Sequence, residues 1–317
     1  MIYQIKKKIE EICRTTKAHS AFAFNKIAKT KNCYITCAGK TDGIGAQTQA
    51  ILSTMLFAHD MGIMYVHTPF RKVGHNVENC KDWENKWETF FNLGKDELTT
   101  DEIGALNVNA VNLDNPMKLR KKENTLYILP TCHYYADVFP NRYLRLKDKF
   151  VEKYNSTSKK EYELHYDPNK INIAVHIRRG DVPGNGANSF RYTDNQLIAT
   201  LLDRVQSILS DFDLEASINL YSQGRIDNFQ ELWRMNINFY LDHCVFTTFH
   251  NLVSSDILIM SKSSFSYSAA LFSGGVKIYE PFWHKPLKDW IVISKRAEFK
   301  EVVFKDNVYN ILLKRGL

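Results

Sequence analysis

The stretch INIAVHIRRGD at residues 171–181 constrains the fold more than any other part of the chain. Its apolar residues, Ile171, Ile173, Val175 and Ile177, lie among small or apolar neighbours, a density that predicts a strand buried on both faces. A polar cluster follows at the carboxyl end of this strand, before glycine-rich irregular sequence. The cluster consists of His176, Arg178, Arg179 and Asp181.

This polar cluster lies where open α/β sheets bind their ligands, outside the carboxyl end of a strand. Two adjacent guanidinium groups suit a phosphate or a pyrophosphate, because each presents a planar fork of donors to anionic oxygens. The alternative is an arginine–aspartate ion pair that only closes the strand. The residues alone leave both interpretations open.

The composition is that of a soluble globular protein. Of the 317 residues, 44% are hydrophobic and 24% are charged, and the length allows two ordinary domains. The formal net charge is +7, but residues 1–31 carry +6 of it, so the rest of the chain is close to neutral. The basic segment is either a solvated helix face or a patch for an anionic membrane surface or polymer.

The cysteines and the apolar runs exclude several classes of protein. Six cysteines are scattered without C-x-x-C spacing or clustered histidines, so we expect neither a zinc site nor a disulfide framework. No apolar run has the length of a signal-peptide core or of a transmembrane span of about 20 residues. We therefore expect a soluble, cytoplasmic protein.

Strands and helices alternate along the chain and predict two domains with mostly parallel sheets. The first, residues 1–165, begins with a basic helix and continues with a strand, a glycine turn, a helix and a strand. Gly43 and Gly45 at this turn either let backbone N–H groups approach an anion or allow tight packing without a ligand. The second domain covers residues 166–317.

A second candidate phosphate site is SKSSFS at residues 261–266, between a short apolar strand and a helix of small residues. Hydroxyl groups and free N–H groups at a helix amino terminus, beside Lys262, favour an anion. An ordinary helix cap is the alternative, although it explains one serine and not several. Ser222, after the strand ASINLYS, either reaches the same ligand or caps the next helix.

HIRRGD resembles the first donor-binding motif, H-x-R-R-x-D, of the GDP-fucose-dependent fucosyltransferases of the α1,2, α1,6 and protein-O-fucosyl groups. GIGAQ at residues 43–47 resembles their G-x-G-N-Q turn, with Ala46 at the Asn position, and SKSSFS resembles their third motif. The resemblance implies a GT-B fold, in which two Rossmann-like domains face each other across a cleft. The first domain would hold the acceptor and the second the nucleotide sugar, with the C-terminal helix packing back on the first.

The same resemblance implies roles for individual residues. Donor binding would involve His176, Arg178, Arg179, Ser222, His250, Ser263, Ser264, Phe265, Gly43 and Gly45. His250 falls where the α1,6 group holds guanine. The acceptor-side candidates are Asp42, Gln47 and His67.

The expected chemistry follows from charge. Breaking the bond between a sugar and a nucleoside diphosphate leaves anionic oxygens that must be neutralised, and Arg178 and Arg179 are suited to this. With no D-x-D motif in a metal-binding context and no Cys/His cluster, we expect inverting transfer that requires no metal or other cofactor. Arg178 is the principal catalytic candidate, and Asp181 is either the base or a group that orients the arginines. Asp42 and His67 are further candidates for the base.

We therefore expect transfer of fucose from GDP-fucose to a glycan or glycoconjugate acceptor, with bacterial or viral members of the family as the better match. A viral member would act in the host cytoplasm. Three alternatives stay open: another UDP- or GDP-linked donor, a non-catalytic nucleotide-sugar or glycan-binding protein, and nucleic-acid binding by the basic segment. We expect no nucleic-acid partner for the body of the chain, and the sequence fixes neither the acceptor nor the oligomeric state.

Overall fold

The computed structural model of the chain describes residues 30–76, 79–104, 107–182, 184 and 189–315. The chain divides into two compact units, Met1–Thr157 and Ser158–Leu317. The sequence places this boundary between residues 165 and 166, slightly further along the same polar stretch. The predicted basic helix at the amino terminus lies outside the described residues.

The first unit contains a parallel sheet of five strands in the order β3-β2-β1-β5-β4. The strands are β1 (Cys33–Cys37), β2 (Met64–His67), β3 (Leu98–Thr99), β4 (Asn109–Asn112) and β5 (Thr125–Leu129). The helices are α1 (Ile44–Met61), α2 (Trp83–Phe91), α3 (Thr100–Gly104), α4 (His133–Val138) and α5 (Lys147–Asn155), with 3₁₀ turns at Pro116–Lys118 and Pro140–Arg145.

Aromatic packing determines the orientation of α2. Trp83, Trp87 and Phe90 are buried, as the spacing predicts, and Trp87 stacks on Phe91 with ring centroids 5.5 Å apart. Tyr154 from α5 closes the cluster at 5.5 Å from Phe90. These rings therefore belong to the core of the first unit and do not form a sugar-binding platform.

The second unit contains a parallel sheet of six strands in the order β11-β10-β9-β6-β7-β8. The strands are β6 (Ile171–His176), β7 (Ala216–Ser222), β8 (Ile237–Leu241), β9 (Ile257–Met260), β10 (Val276–Tyr279) and β11 (Ile291–Val292). The helices are α6 (Asn195–Ser210), α7 (Val245–Ser254), α8 (Ser264–Phe272) and α9 (Glu301–Arg315), with 3₁₀ turns at Ser189–Arg191 and Ile226–Leu232.

The strand order of the second unit is that of a doubly wound nucleotide-binding sheet. Counted within the unit, the order reads 3-2-1-4-5-6 from β8 to β11, and the direction of winding reverses between β6 and β9. Ligands of such sheets bind in the crevice at this reversal, outside the carboxyl ends of the strands. The first unit reads 3-2-1-5-4, with its reversal between β1 and β5. The expected α/β class with two Rossmann-like units is therefore observed.

Strand β6 forms the centre of the second unit. All of its residues are buried, and it pairs in parallel with β7 on one side and β9 on the other. Because every residue from Ile171 to His176 is buried, the prediction of a strand covered on both faces is confirmed. Because Arg178 and Arg179 follow β6 directly, the position of this strand determines where the arginine pair lies.

Two helical segments of the second unit, residues 225–235 and Glu301–Arg315, were predicted from the sequence. The helix expected over RIDNFQELWRM is a 3₁₀ turn, broken at Phe229, whose φ of −128° allows its buried ring to pack near Phe239. Helix α9 buries Phe304, Val308 and Ile311 in the core of its own unit. Packing of α9 on the first unit stays a prediction.

Among the described residues, the helices are either too short or too polar to cross a membrane.

The turn between α8 and β10 provides a test of this packing. A Cβ atom on Gly275 would lie 2.3 Å from the carbonyl oxygen of Ser255, whereas a Cβ atom on Gly274 has no neighbour within 4 Å. We expect Gly275→Ala to lower the free energy of unfolding by about 1–3 kcal/mol, because backbone must shift to relieve the clash. Gly274→Ala is the matched control and should unfold like the natural chain. Equal urea midpoints for the two variants would contradict the described packing.

Candidate functional site

The point where the winding of the second sheet reverses is spanned by a buried hydrogen bond. His176 is the last residue of β6, Ser261 follows β9, and His176 Nδ1 lies 2.9 Å from Ser261 Oγ. Burial, assisted by the positive charge of Arg178, lowers the pKa of His176 to about 3. The imidazole is therefore neutral at physiological pH, and it positions the two loops without contributing charge.

Arg178 and Asp181 form a bidentate ion pair directly after β6. Nε of Arg178 donates to Oδ1 of Asp181 at 3.0 Å, and its second terminal nitrogen donates to Oδ2 at 2.7 Å. The side chains are 18% and 41% exposed, respectively, so the pair lies at the surface of the crevice. Because Asp181 occupies one edge of the guanidinium, the remaining donors of Arg178 are held in a fixed direction.

Arg179 is held by the protein itself. Its guanidinium donates to the carbonyl oxygens of Arg178 and Thr193, each at 3.0 Å, and to Asn195 Oδ1 at 2.5 Å. It also lies 4.1 Å from the ring centroid of Tyr192. Arg178 and Arg179 are both predicted to bind the donor. The described contacts of Arg179 are all with residues of the second unit, and they stabilise the loop that carries Arg178.

Lys262 is neutralised by a neighbouring carboxylate. Its Nζ lies 2.7 Å from Glu280 Oε1 and donates to the Tyr192 carbonyl oxygen at 3.0 Å. Thr193 connects the same groups, since its hydroxyl donates to Glu280 Oε2 at 2.6 Å. The expectation that Lys262 supplies positive charge to a phosphate is therefore not supported. Together, these contacts join the loop after β9 to the segment before α6.

The serines after β9 have different roles. Ser263 is the N-cap of α8, and its Oγ accepts from the Phe265 N–H at 3.2 Å. Ser266 Oγ donates to the Ser261 and Ser263 carbonyl oxygens. In the described part of the chain, Ser264 Oγ makes no hydrogen bond, and it occupies the first position of the helix. Ser264 is therefore the hydroxyl best placed to meet an anion at the positive end of α8.

Phe265, Ser222 and His250 complete the predicted donor-side set. The Phe265 ring packs between His176 and Phe249, at centroid distances of 5.4 Å and 5.2 Å. Ser222 Oγ donates to the Ile177 carbonyl oxygen at 2.7 Å, so it braces the loop after β6 and caps no helix. His250 lies on α7, and burial, with the charge of Lys159, lowers the pKa of its imidazole.

The predicted residues of the glycine turn in the first unit are packed closely. Gln47 Nε2 donates to the carbonyl oxygens of Asp42 and Lys72, at 2.7 Å and 2.8 Å. A Cβ atom on Gly43 would lie 2.8 Å from the His75 ring, and Gly45 is buried in the first turn of α1. The Asp42 carboxylate is 47% exposed and pairs with Lys40 at 2.9 Å. Tight packing thus accounts for this turn.

His67 is buried and has both ring nitrogens engaged. Nδ1 lies 3.2 Å from the Tyr65 hydroxyl, and Nε2 lies 2.7 Å from Glu88 Oε1. The side chain is 2% exposed. A buried imidazole with both nitrogens occupied has no position left for an acceptor hydroxyl, so these contacts do not support a role for His67 as the base.

Arg191 is a cation near the site that the sequence analysis missed. Burial and the positive charge of Arg178 lower the pKa of its guanidinium, while the negative charge of Asp181 raises it. Its Nε is buried without a hydrogen-bond partner among the described residues, and the guanidinium lies 5.1 Å from the Trp283 ring centroid. No motif marks this arginine. Only the turn Ser189–Arg191 brings it to the crevice.

Comparisons with known proteins give similarities at the level of the fold. No family model and no curated protein matches the chain. A structure of POFUT1 in complex with GDP matches with a TM-score of 0.40 and 12% identity, covering 78% of this chain and 97% of that chain. A mutant of Arabidopsis thaliana FUT1 in complex with GDP gives 0.42 and 10%, covering 91% and 79%.

NodZ α-1,6-fucosyltransferase, soaked with GDP-fucose, matches with a TM-score of 0.33 and 11% identity, covering 77% of this chain and 93% of that chain. Similarities this low do not decide which reaction a chain performs. The functional proposal must therefore be supported by the side chains of this protein.

The neutral state of His176 has a measurable consequence for acid stability. Its folded pKa of about 3 lies below the usual histidine value, so the unfolded chain takes up the proton first. The stabilisation is present above pH of about 6.5 and decreases as the pH falls below it. Between pH 7 and 5, we expect His176 to account for about 2 kcal/mol of lost unfolding free energy. Urea unfolding of His176→Gln should show a correspondingly smaller loss, and an unchanged loss would contradict a neutral His176.

The two adjacent arginines should differ in their effect on stability. Arg179→Lys leaves the acceptors on Thr193 and Asn195 poorly satisfied, so we expect a loss of about 1–3 kcal/mol in unfolding free energy. Arg178→Lys disrupts only a partly exposed ion pair and should cost less than about 1 kcal/mol. Chemical denaturation of both variants measures the difference. A larger loss for Arg178→Lys would contradict the assigned contacts.

Proposed function

We propose that this protein is a glycosyltransferase that transfers fucose from GDP-fucose to a glycan or glycoconjugate acceptor. The observation that carries the proposal is the position of Arg178 at the winding reversal of the second sheet. Its ion pair with Asp181 follows β6, and the amino terminus of α8 follows β9, the neighbouring strand. A cation and a helix amino terminus at the carboxyl edge of such a sheet suit a nucleoside diphosphate.

We assign the diphosphate to Arg178, Ser264 and the free N–H groups at the start of α8. Arg191 is a further cation for the same anion, because its guanidinium is electrostatically coupled to that of Arg178. Arg179 and Lys262 are engaged by neighbouring oxygens and serve to hold the two loops. In this assignment, Arg178 of the HIRRGD motif binds the diphosphate, and Arg179 holds the loop in place.

In the proposed reaction, the acceptor hydroxyl oxygen forms a bond to the anomeric carbon as the bond to the β-phosphate oxygen breaks. GDP leaves with the bonding electrons, and its negative charge is stabilised by Arg178. The hydroxyl proton passes to a base. Attack from the opposite side inverts the anomeric centre, and arginine supplies the charge that a metal supplies in other transferases. We therefore propose that the reaction needs no metal.

The hydrogen bonds made by each candidate base show which of them are already engaged by other protein groups. Both oxygens of Asp181 accept hydrogen bonds from Arg178, so we assign Asp181 to orienting that guanidinium. On the acceptor side, both nitrogens of His67 are engaged, and Gln47 has no basic group. The exposed carboxylate of Asp42 makes it our candidate for the base. His250, on α7, is assigned to the guanine base by the family resemblance.

Calorimetric titration with GDP and UDP, with and without EDTA, tests the donor site. We expect GDP to bind equally well with EDTA present, and Arg178→Lys to weaken binding about 10- to 100-fold through loss of charge-assisted hydrogen bonds. Arg225→Lys is the matched control, since this arginine is 86% exposed and pairs only weakly with Asp227 at 3.4 Å. Its affinity should be unchanged.

The outcomes separate the alternatives. Binding to Arg178→Lys with natural affinity, or binding lost on adding EDTA, would reject the proposed site. Preference for UDP would assign another nucleotide-sugar donor. Tight GDP binding without GDP release from GDP-fucose, across a panel of glycan acceptors, would indicate a binding protein that lacks transferase activity.

A further inference from the structure

Three potential metal ligands from distant parts of the sequence lie together in the second unit. One ligand atom from each of Glu163, His165 and His243 lies within 4.8 Å of the other two. Glu163 Oε2 and His165 Nε2 are 3.6 Å apart. The first two residues precede β6, and His243 follows β8. Spacing along the chain does not predict this group, because its histidines, His165 and His243, are far apart in sequence.

The ring of His165 is fixed in orientation by two tyrosines. It stacks on Tyr240 with centroids 3.8 Å apart and an interplanar angle of 7°, and its Nδ1 lies 3.0 Å from the Tyr221 hydroxyl. With the Nδ1 proton donated to that hydroxyl, the lone pair on Nε2 remains available beside Glu163. A hydrogen bond of this kind to the other ring nitrogen is how metal-binding histidines are oriented.

The backbone that carries Glu163 and His165 is held by two asparagine side chains. Asn251 accepts from the His165 N–H at 2.7 Å and donates to the Glu163 carbonyl oxygen at 2.8 Å. Asn219 donates to the His165 carbonyl oxygen at 2.8 Å. The backbone that carries both ligands is therefore held before any ion binds, which reduces the ordering that binding requires.

His243 supplies an independent observation. Its Nδ1 is buried and has no hydrogen-bond partner among the described residues. Buried polar atoms are nearly always paired, so an unpaired imidazole nitrogen in this group calls for a ligand. The ring packs edge-on against His165, with centroids 5.4 Å apart.

We propose that Glu163, His165 and His243 bind a divalent cation of the Zn²⁺ class. Two imidazoles and one carboxylate form a donor set typical of Zn²⁺, whereas Mg²⁺ and Ca²⁺ prefer oxygen ligands alone. Donor atoms around a tetrahedral zinc ion lie about 3.4 Å apart, close to the observed separation of Glu163 and His165. The ligand atom of His243 lies within 4.8 Å of the other two, so His243 would move closer to complete the site, and water would fill the fourth position.

The ion would tie the segment before β6 to the loop after β8. None of its ligands belongs to the proposed diphosphate site, so the proposal does not depend on the transferase assignment. Its expected role is to stabilise the second unit, since a bound ion raises the stability of the state that binds it.

Titration of the metal-free full-length protein with Zn²⁺ by calorimetry, and with Co²⁺ by visible absorption, tests the site. We expect one equivalent to bind, with cobalt d–d bands but no thiolate charge-transfer band, because the donors are nitrogen and oxygen. Glu163→Gln and His243→Gln should each weaken binding at least about tenfold. The Glu163 side chain is 76% exposed, so its substitution should leave folding intact.

The matched control is His59→Gln, which removes a 52% exposed histidine beside a carboxylate in the first unit. Its metal affinity should be unchanged. Absence of saturable binding would overturn the proposal. So would affinities that are unchanged in both Glu163→Gln and His243→Gln, or a thiolate band that assigns the ion to cysteine.

Discussion

The hydrogen bond between His176 and Ser261 spans the point where the winding of the second sheet reverses, and the candidate site lies at this point. The two residues follow neighbouring strands, β6 and β9, whose connections leave the sheet in opposite directions. A crevice opens at such a point because no crossover covers it. Burial, with the positive charge of Arg178, lowers the pKa of His176, so this bond joins two neutral groups and adds no second positive charge beside Arg178. This arrangement supports the proposed diphosphate site at this edge of the sheet.

The environments of the two adjacent arginines explain how one short motif can carry two functions. Side chains alternate in direction along extended backbone, so neighbours in sequence meet different surroundings. Arg178 meets an exposed carboxylate, whereas Arg179 meets two carbonyl oxygens, an amide oxygen and an aromatic ring. A guanidinium with its donors satisfied internally stabilises a loop, and one held at a single edge can still bind an anion.

The sequence was sufficient for the features that arise from local pattern. The buried strand at 171–176, the capped helix at 264 and the βαβ unit with Gly43 follow from periodicity and from turn residues, and the structure contains each of them. The partner of Lys262 could not be predicted, because Glu280 lies on another strand's carboxyl end and only the sheet order brings them together.

The same limit applies to polar groups that meet through tertiary structure. Arg191 reaches the site through a turn without a motif, and Glu163, His165 and His243 converge because β6, β7 and β8 are neighbours. Spacing along a chain predicts contacts within helices, strands and turns. Spacing says little about which turns of a doubly wound sheet lie next to each other in the fold. Residues that reach a site from several turns were therefore only partly predicted.

Each unit has a parallel sheet whose winding reverses once, but the turns at the two reversal points are packed differently. In the first unit, Gln47 occupies the carbonyl oxygens of Asp42 and Lys72, and His75 fills the space beside Gly43. In the second, the Ser264 hydroxyl makes no hydrogen bond within the described residues, and Arg178 is anchored at one edge. A turn whose polar groups are already paired gains little from an anion, whereas unpaired donors beside a cation gain much. This difference is the physical reason why we propose the second unit, and not the first, as the one that binds the nucleotide.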